Sequence, residues 1–86
     1  MKIMQRKDLV FDTLLDVEYA RNLYYIHVHF YDREVQSIMI CRNLENVLIF
    51  DRKNYGWQIR PADKQTDRVF KETLKLLNLT MPKLAA

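Results

Sequence analysis

Residues Leu23 to Phe50 read LYYIHVHFYDREVQSIMICRNLENVLIF, and the way this stretch divides decides the fold. Leu23 to Tyr31 is rich in Tyr, Ile, Val and Phe, the side chains that suit a pleated surface. Alternation puts Tyr24, Ile26, Val28 and Phe30 on one face, and Tyr25, His27, His29 and Tyr31 on the other. Asp32-Arg33-Glu34 is a short polar connection, so Val35 to Arg42 is expected to fold back as an antiparallel strand. Asn43 to Asn46 makes a second turn and Val47 to Asp51 a third strand. The second and third strands are apolar on both sides: Ile38 and Ile40 against Met39 and Cys41, then Val47 and Ile49 against Leu48 and Phe50.

Outward from this centre, Leu9 to Tyr19 alternates. Leu9, Phe11, Thr13, Leu15, Val17 and Tyr19 share one parity, while Asp12, Asp16 and Glu18 share the other. At helical period the same apolar residues scatter around the wheel, so a half-buried strand is preferred to an N-terminal helix. Ala20-Arg21-Asn22 turns the chain. After Phe50, Arg52 to Gly56 makes another turn and Trp57 to Arg60 a last short strand, stopped by Pro61. The tail then changes period. Val69, Phe70, Thr73, Leu74, Leu76 and Leu77 form one stripe, with Arg68, Lys71, Glu72 and Lys75 on the other side. Asp63 or Thr66 can cap the start of this helix and Asn78 its end, which predicts a helix over about 64–77.

The expected fold is therefore α+β: a four- or five-stranded antiparallel meander, strongly bent or barrel-like, with one C-terminal helix packed on it. Residues 1–60 are strand-rich and 78–86 form a short tail. At 86 residues there is room for one domain and one core. A single helix covers only one face of a sheet. The second face is expected to be buried by closure into a barrel, by the N-terminal segment, or by another chain, because wetting it would forfeit several kcal/mol at roughly 25 cal/mol per Å².

Composition excludes several classes. The chain is 49% hydrophobic and 29% charged, which is ordinary for a globular protein. No apolar run exceeds four residues and Met1–Phe11 has no apolar signal core, so a cytoplasmic protein is expected, with no membrane span. Cys41, the only cysteine, reads as a small buried hydrophobe. Net charge is +3 and unevenly spread: residues 8–18 carry four acids and no base, whereas residues 52–83 carry eight bases against three acids.

Candidate chemistry is thin. His27-x-His29 places two imidazoles about 7 Å apart on one strand face, a spacing that suits two metal ligands, with Cys41 on a neighbouring strand as a third in principle, but nothing completes the set, and an exposed or interface role is preferred. Asp51-x-Lys53 at a strand end resembles a metal-nuclease fragment only if Glu34 or Glu45 completes it; a solvated turn is the preferred reading, because three-residue patterns arise freely in a chain this charged. Ser37 lies mid-strand without a nucleophile turn, and an apolar setting for Cys41 raises a thiol's pKa. One glycine leaves no phosphate-cradling loop. These observations point away from an enzyme and from any cofactor or small-molecule substrate.

Two binding readings follow. The first is protein–protein association, as a homodimer or as an adaptor or inhibitor of a larger partner, through Tyr25, His27, His29, Tyr31, Tyr55, Trp57 and Arg60, since Tyr, Trp and Arg anchor interfaces. The alternative is nucleic-acid binding, with aromatic residues stacking bases and Arg52, Lys53, Arg60, Arg68, Lys71 and Lys75 holding phosphates. No recognised nucleic-acid-binding signature accompanies the second reading.

Overall fold

The structure is a computed structural model that describes residues 1–54, 56–59 and 63–79. Six strands run in order, β1 (Lys2–Asp8), β2 (Asp12–Tyr19), β3 (Asn22–Tyr31), β4 (Glu34–Arg42), β5 (Glu45–Asp51) and β6 (Gly56–Ile59), followed by helix α1 (Lys64–Leu76). Each strand pairs antiparallel with the next, giving the sheet order β1-β2-β3-β4-β5-β6. The α+β meander with its C-terminal helix is the architecture the sequence leads one to expect. The sheet is bent but not closed, and β1 and β6 are its edges.

Strand β1 is the element that the periodicity does not separate. All seven of its residues are exposed. An edge strand with Lys2, Arg6 and Lys7 needs no apolar face, and such charges are what keeps an edge from pairing with other chains. The expected strand from Leu9 to Tyr19 accordingly begins later, at Asp12, and Leu9–Phe11 forms the connection.

Three connections are two-residue hairpins, Ala20-Arg21, Asp32-Arg33 and Asn43-Leu44, and all six residues have positive φ. That geometry matches the right-handed strand twist but usually asks for Asn-Gly or Gly-Gly. Here the left-handed conformation is adopted without glycine, at about 1 kcal/mol for an ordinary side chain. Strand pairing supplies what the turn residues do not.

One face of the sheet carries the core. Leu15, Ile26, Ile40 and Leu48 lie in successive cross-strand register, as do Val28, Ile38 and Phe50. All are buried, together with Val17, Tyr24 and Val35, and α1 closes over them with Val69, Phe70 and Leu74. Asp63 caps the helix: its Oδ1 accepts from the Thr66 amide at 2.7 Å. Its Oδ2 accepts from the Arg42 guanidinium at 2.8 Å, so the same carboxylate ties the start of the helix to β4. Leu76 stays exposed at the margin of the predicted stripe. The chain ends the helix one residue before the expected Leu77, which is the cap; Asn78 follows with φ 57° in the left-handed position that often ends a helix.

Candidate functional site: the open face of the sheet

The face opposite α1 is built by the other parity of each strand. Its middle row runs Leu14, His27, Met39, Ile49 across β2 to β5. On one side lies Asp16, Tyr25, Cys41, Asn46, and on the other Asp12, His29, Ser37, Asp51. Tyr25 and Tyr31 are exposed, and Leu14, His27, His29, Met39, Cys41 and Ile49 are half-buried. Of the three ways to cover this face, barrel closure does not occur, and the N-terminal segment is itself an edge strand. The face is also less apolar than β4 and β5 alone suggest. Strands β2 and β3 contribute Asp12, Asp16, Glu18 and the two histidines to it, side chains that tolerate water.

The Tyr25/His27/His29/Tyr31 row is thus assembled on one face as its alternation implies. Trp57 pairs through its backbone with Phe50, but its side chain, like Tyr55 and Arg60, lies outside the described residues. Asp12 is the member that sequence reasoning did not attach to the histidines. Its Oδ1 accepts hydrogen bonds from both rings, from His27 Nε2 at 2.8 Å and from His29 Nδ1 at 2.9 Å. The alternating acids of β2 were the available signal; the missing information was the register that puts Asp12 opposite His29. The His27 bond, then the His29 bond, hold the Asp12 carboxyl below the usual carboxylate range. The effect is to fix two imidazole rings in place on an otherwise open surface.

The three side chains meet by hydrogen-bonding a single oxygen, and among the described residues no group of three His, Cys, Asp or Glu is placed to hold a metal ion. Cys41 donates to Asn46 Oδ1 at 2.9 Å, and burial pushes its thiol pKa up, away from a reactive thiolate. Glu45 sits at the opposite end of β5 from Asp51, so it cannot complete the nuclease fragment. A shallow depression of about 400 Å³ lies at the Tyr31 end of the face, lined by His29, Tyr31, Gln36, Ser37, Asp51 and Lys53.

Of the residues of the nucleic-acid alternative, Lys53 lines that depression, Arg60 lies outside the described residues, and the others are not gathered on this face. Arg52 donates to the Val35 carbonyl at 2.8 Å. Lys71 pairs with Asp67 at 2.9 Å and Arg68 with Glu72 at 3.7 Å, both one turn apart on the helix surface. These helix bases and Lys75 face solvent on the layer opposite the Tyr25 and Tyr31 rings. Comparison with protein-family models, with curated proteins and with solved structures returned no match.

Proposed function

We propose that this chain is a non-enzymatic protein-binding module, acting as an adaptor or inhibitor of a larger protein or by self-association, with the open face of the sheet as its contact surface. The observation that carries this reading is the unequal covering of the two faces. α1 covers the β2–β5 part of one, while the other presents Tyr25, Tyr31, Met39 and Ile49 among fixed polar groups. Aromatic and sulfur-bearing side chains interleaved with ordered hydrogen-bonding groups are the composition of interface centres rather than of ordinary solvated surface. Rigidity adds to it, because His27 and His29 are already held by Asp12 and lose little freedom on binding.

Affinity capture from the native host tests the reading. The wild-type chain and a helix-surface variant, Arg68→Glu with Lys71→Glu, are expected to retain the same partner. Tyr25→Glu with Met39→Glu is expected to lose it while keeping the wild-type circular dichroism spectrum. Loss in the helix variant and retention in the sheet variant would overturn the assignment.

A further inference from the structure

The connection between β1 and β2 departs from the other turns among the described residues. Leu9, Val10 and Phe11 stand 49%, 87% and 52% exposed, and Tyr31, whose ring centroid lies 6.5 Å from that of Phe11, is 65% exposed. Three consecutive apolar side chains in solvent are unfavourable unless they serve a contact. Elsewhere an exposed apolar turn residue stands singly, as Leu44 does at the opposite end of the sheet, and needs no such explanation. The tip is also rigid. The Leu9 amide donates to the Asp12 carbonyl at 2.7 Å and the Phe30 amide to the Phe11 carbonyl at 2.7 Å. Thr13 donates to Asp8 at 2.9 Å and Arg6 to the same carboxylate at 3.0 Å. An ordered apolar protrusion is what a binding anchor requires.

We propose that the Leu9–Phe11 tip, together with Tyr31, is the surface through which two copies of this chain associate. The charge around it decides between occupants. Arg6, Lys7, Asp8 and Asp12 flank the tip along its own hairpin, and Asp32, Arg33 and Glu34 lie on the neighbouring turn. A two-fold contact sets each surface against itself, so its rim must carry both signs, as this one does. A lipid headgroup layer would instead meet Asp8 and Asp12 immediately on either side of the apolar residues, and phosphate repels them. Asp8 is kept ionised by the Thr13 hydroxyl and by Arg6, which hold its carboxyl below the usual range. The four side chains offer on the order of 400–500 Å² per copy, short of the roughly 800 Å² per partner of a durable complex. The association is therefore expected to be weak and concentration-dependent.

Sedimentation equilibrium of the full chain, from micromolar to millimolar concentration, tests this. A monomer–dimer equilibrium is expected. Val10→Asp is expected to weaken it at least about 100-fold, because each side chain enters the contact twice. Val10 is 87% exposed and is not part of the core cluster, and circular dichroism of the variant establishes that the fold is kept. On dilution, the amide resonances of Leu9–Phe11 and Tyr31 are expected to move while those of Tyr25 and Met39 stay fixed. A monomer at millimolar concentration overturns the inference, and with it self-association through the open face, but leaves the adaptor or inhibitor reading of that face untouched. A dimer that survives Val10→Asp but is lost in Met39→Glu overturns the inference too. Binding of the chain to phosphatidylglycerol vesicles that is lost in Val10→Asp, without self-association in solution, would replace the second copy with a membrane and likewise overturn it.

Discussion

Asp63→Ala removes a carboxylate that serves two purposes, and the two can be separated. Oδ1 caps α1 through the Thr66 amide, while Oδ2 receives Arg42 from β4 and the Thr66 hydroxyl at 3.1 Å. Losing an N-cap oxygen costs about 0.5–2 kcal/mol. The Arg42 pair adds roughly 0–1 kcal/mol, in the range of surface ion pairs, because the Asp63 carboxylate is itself more than a third exposed. The expected total is about 0.5–3 kcal/mol, or roughly 2–24 °C in Tm for a domain of this size. Asp63→Asn keeps a capping oxygen but loses the charge and the second oxygen that accepts from Arg42 and the Thr66 hydroxyl, so its cost is expected to stay within about 1 kcal/mol. Urea titration followed by circular dichroism measures both. The pH dependence follows from the carboxyl being held below its usual range, by the Thr66 amide first, against opposing desolvation, and then by Arg42. A group depressed in the folded state stabilises fully above its unfolded pKa of about 3.9 and loses that contribution as pH falls through the folded value. The gap between wild type and Asp63→Asn should therefore close on acidification below about pH 4. Equal destabilisation by Ala and Asn, or an Ala variant within about 0.3 kcal/mol of wild type, would refute the cap-and-clamp account of how the helix is attached.

The two faces of the sheet are expected to respond differently to truncation. Ile26→Ala, in the core under α1, should cost about 2–5 kcal/mol, and Met39→Ala on the open face less than about 1 kcal/mol; comparable losses in urea melts would mean the faces are wrongly assigned. The Asp12 carboxyl, followed by carbon NMR, should titrate below the ordinary range and return towards about 3.9 in a His27→Ala, His29→Ala double variant. An unchanged titration would show that the imidazole bonds do not hold it. Cys41 should alkylate with iodoacetamide more slowly in the folded chain than in urea at the same mildly alkaline pH, since burial raises its pKa. Equal rates would contradict its setting.

The buried half of this fold is legible because alternation is a physical record of which side is dry. Parity sets Tyr24, Ile26 and Val28 apart from the mixed row of β3, and the structure buries them; in the double-sided β4 and β5 it groups Ile38 with Ile40 and Leu48 with Phe50 without saying which side is dry, and pairing across from β3 puts these four in the core. The tail announced itself by its change of period, and Asp63 by capping chemistry. Strand β1 was not legible, since an edge strand with Lys2, Arg6 and Lys7 buries nothing and so leaves no alternation to find. The Leu9–Phe11 tip was absorbed into β2 for a related reason: Leu9 and Phe11 share the parity of Thr13 and Leu15, although only the latter pair is buried.

The site was legible in part. The Tyr25/His27/His29/Tyr31 row follows from strand periodicity, but Asp12 joins it only through a register that no local pattern encodes. The Arg42–Asp63 clamp spans β4 and the helix for the same reason and could not be read from spacing. The covering argument was sharpened rather than removed. Two double-sided strands suggested a second core, whereas β2 and β3 make that face amphipathic, which suits a surface that is solvated alone and dry when bound.

Photocrosslinking from the open face tests the central claim most directly. A benzoylphenylalanine residue at position 25, replacing one exposed ring by another, and the same residue at position 71 on the outer side of α1 are compared in the native host. The account predicts discrete higher-mass protein adducts from position 25 and none from position 71. Adducts from position 71 alone would contradict it.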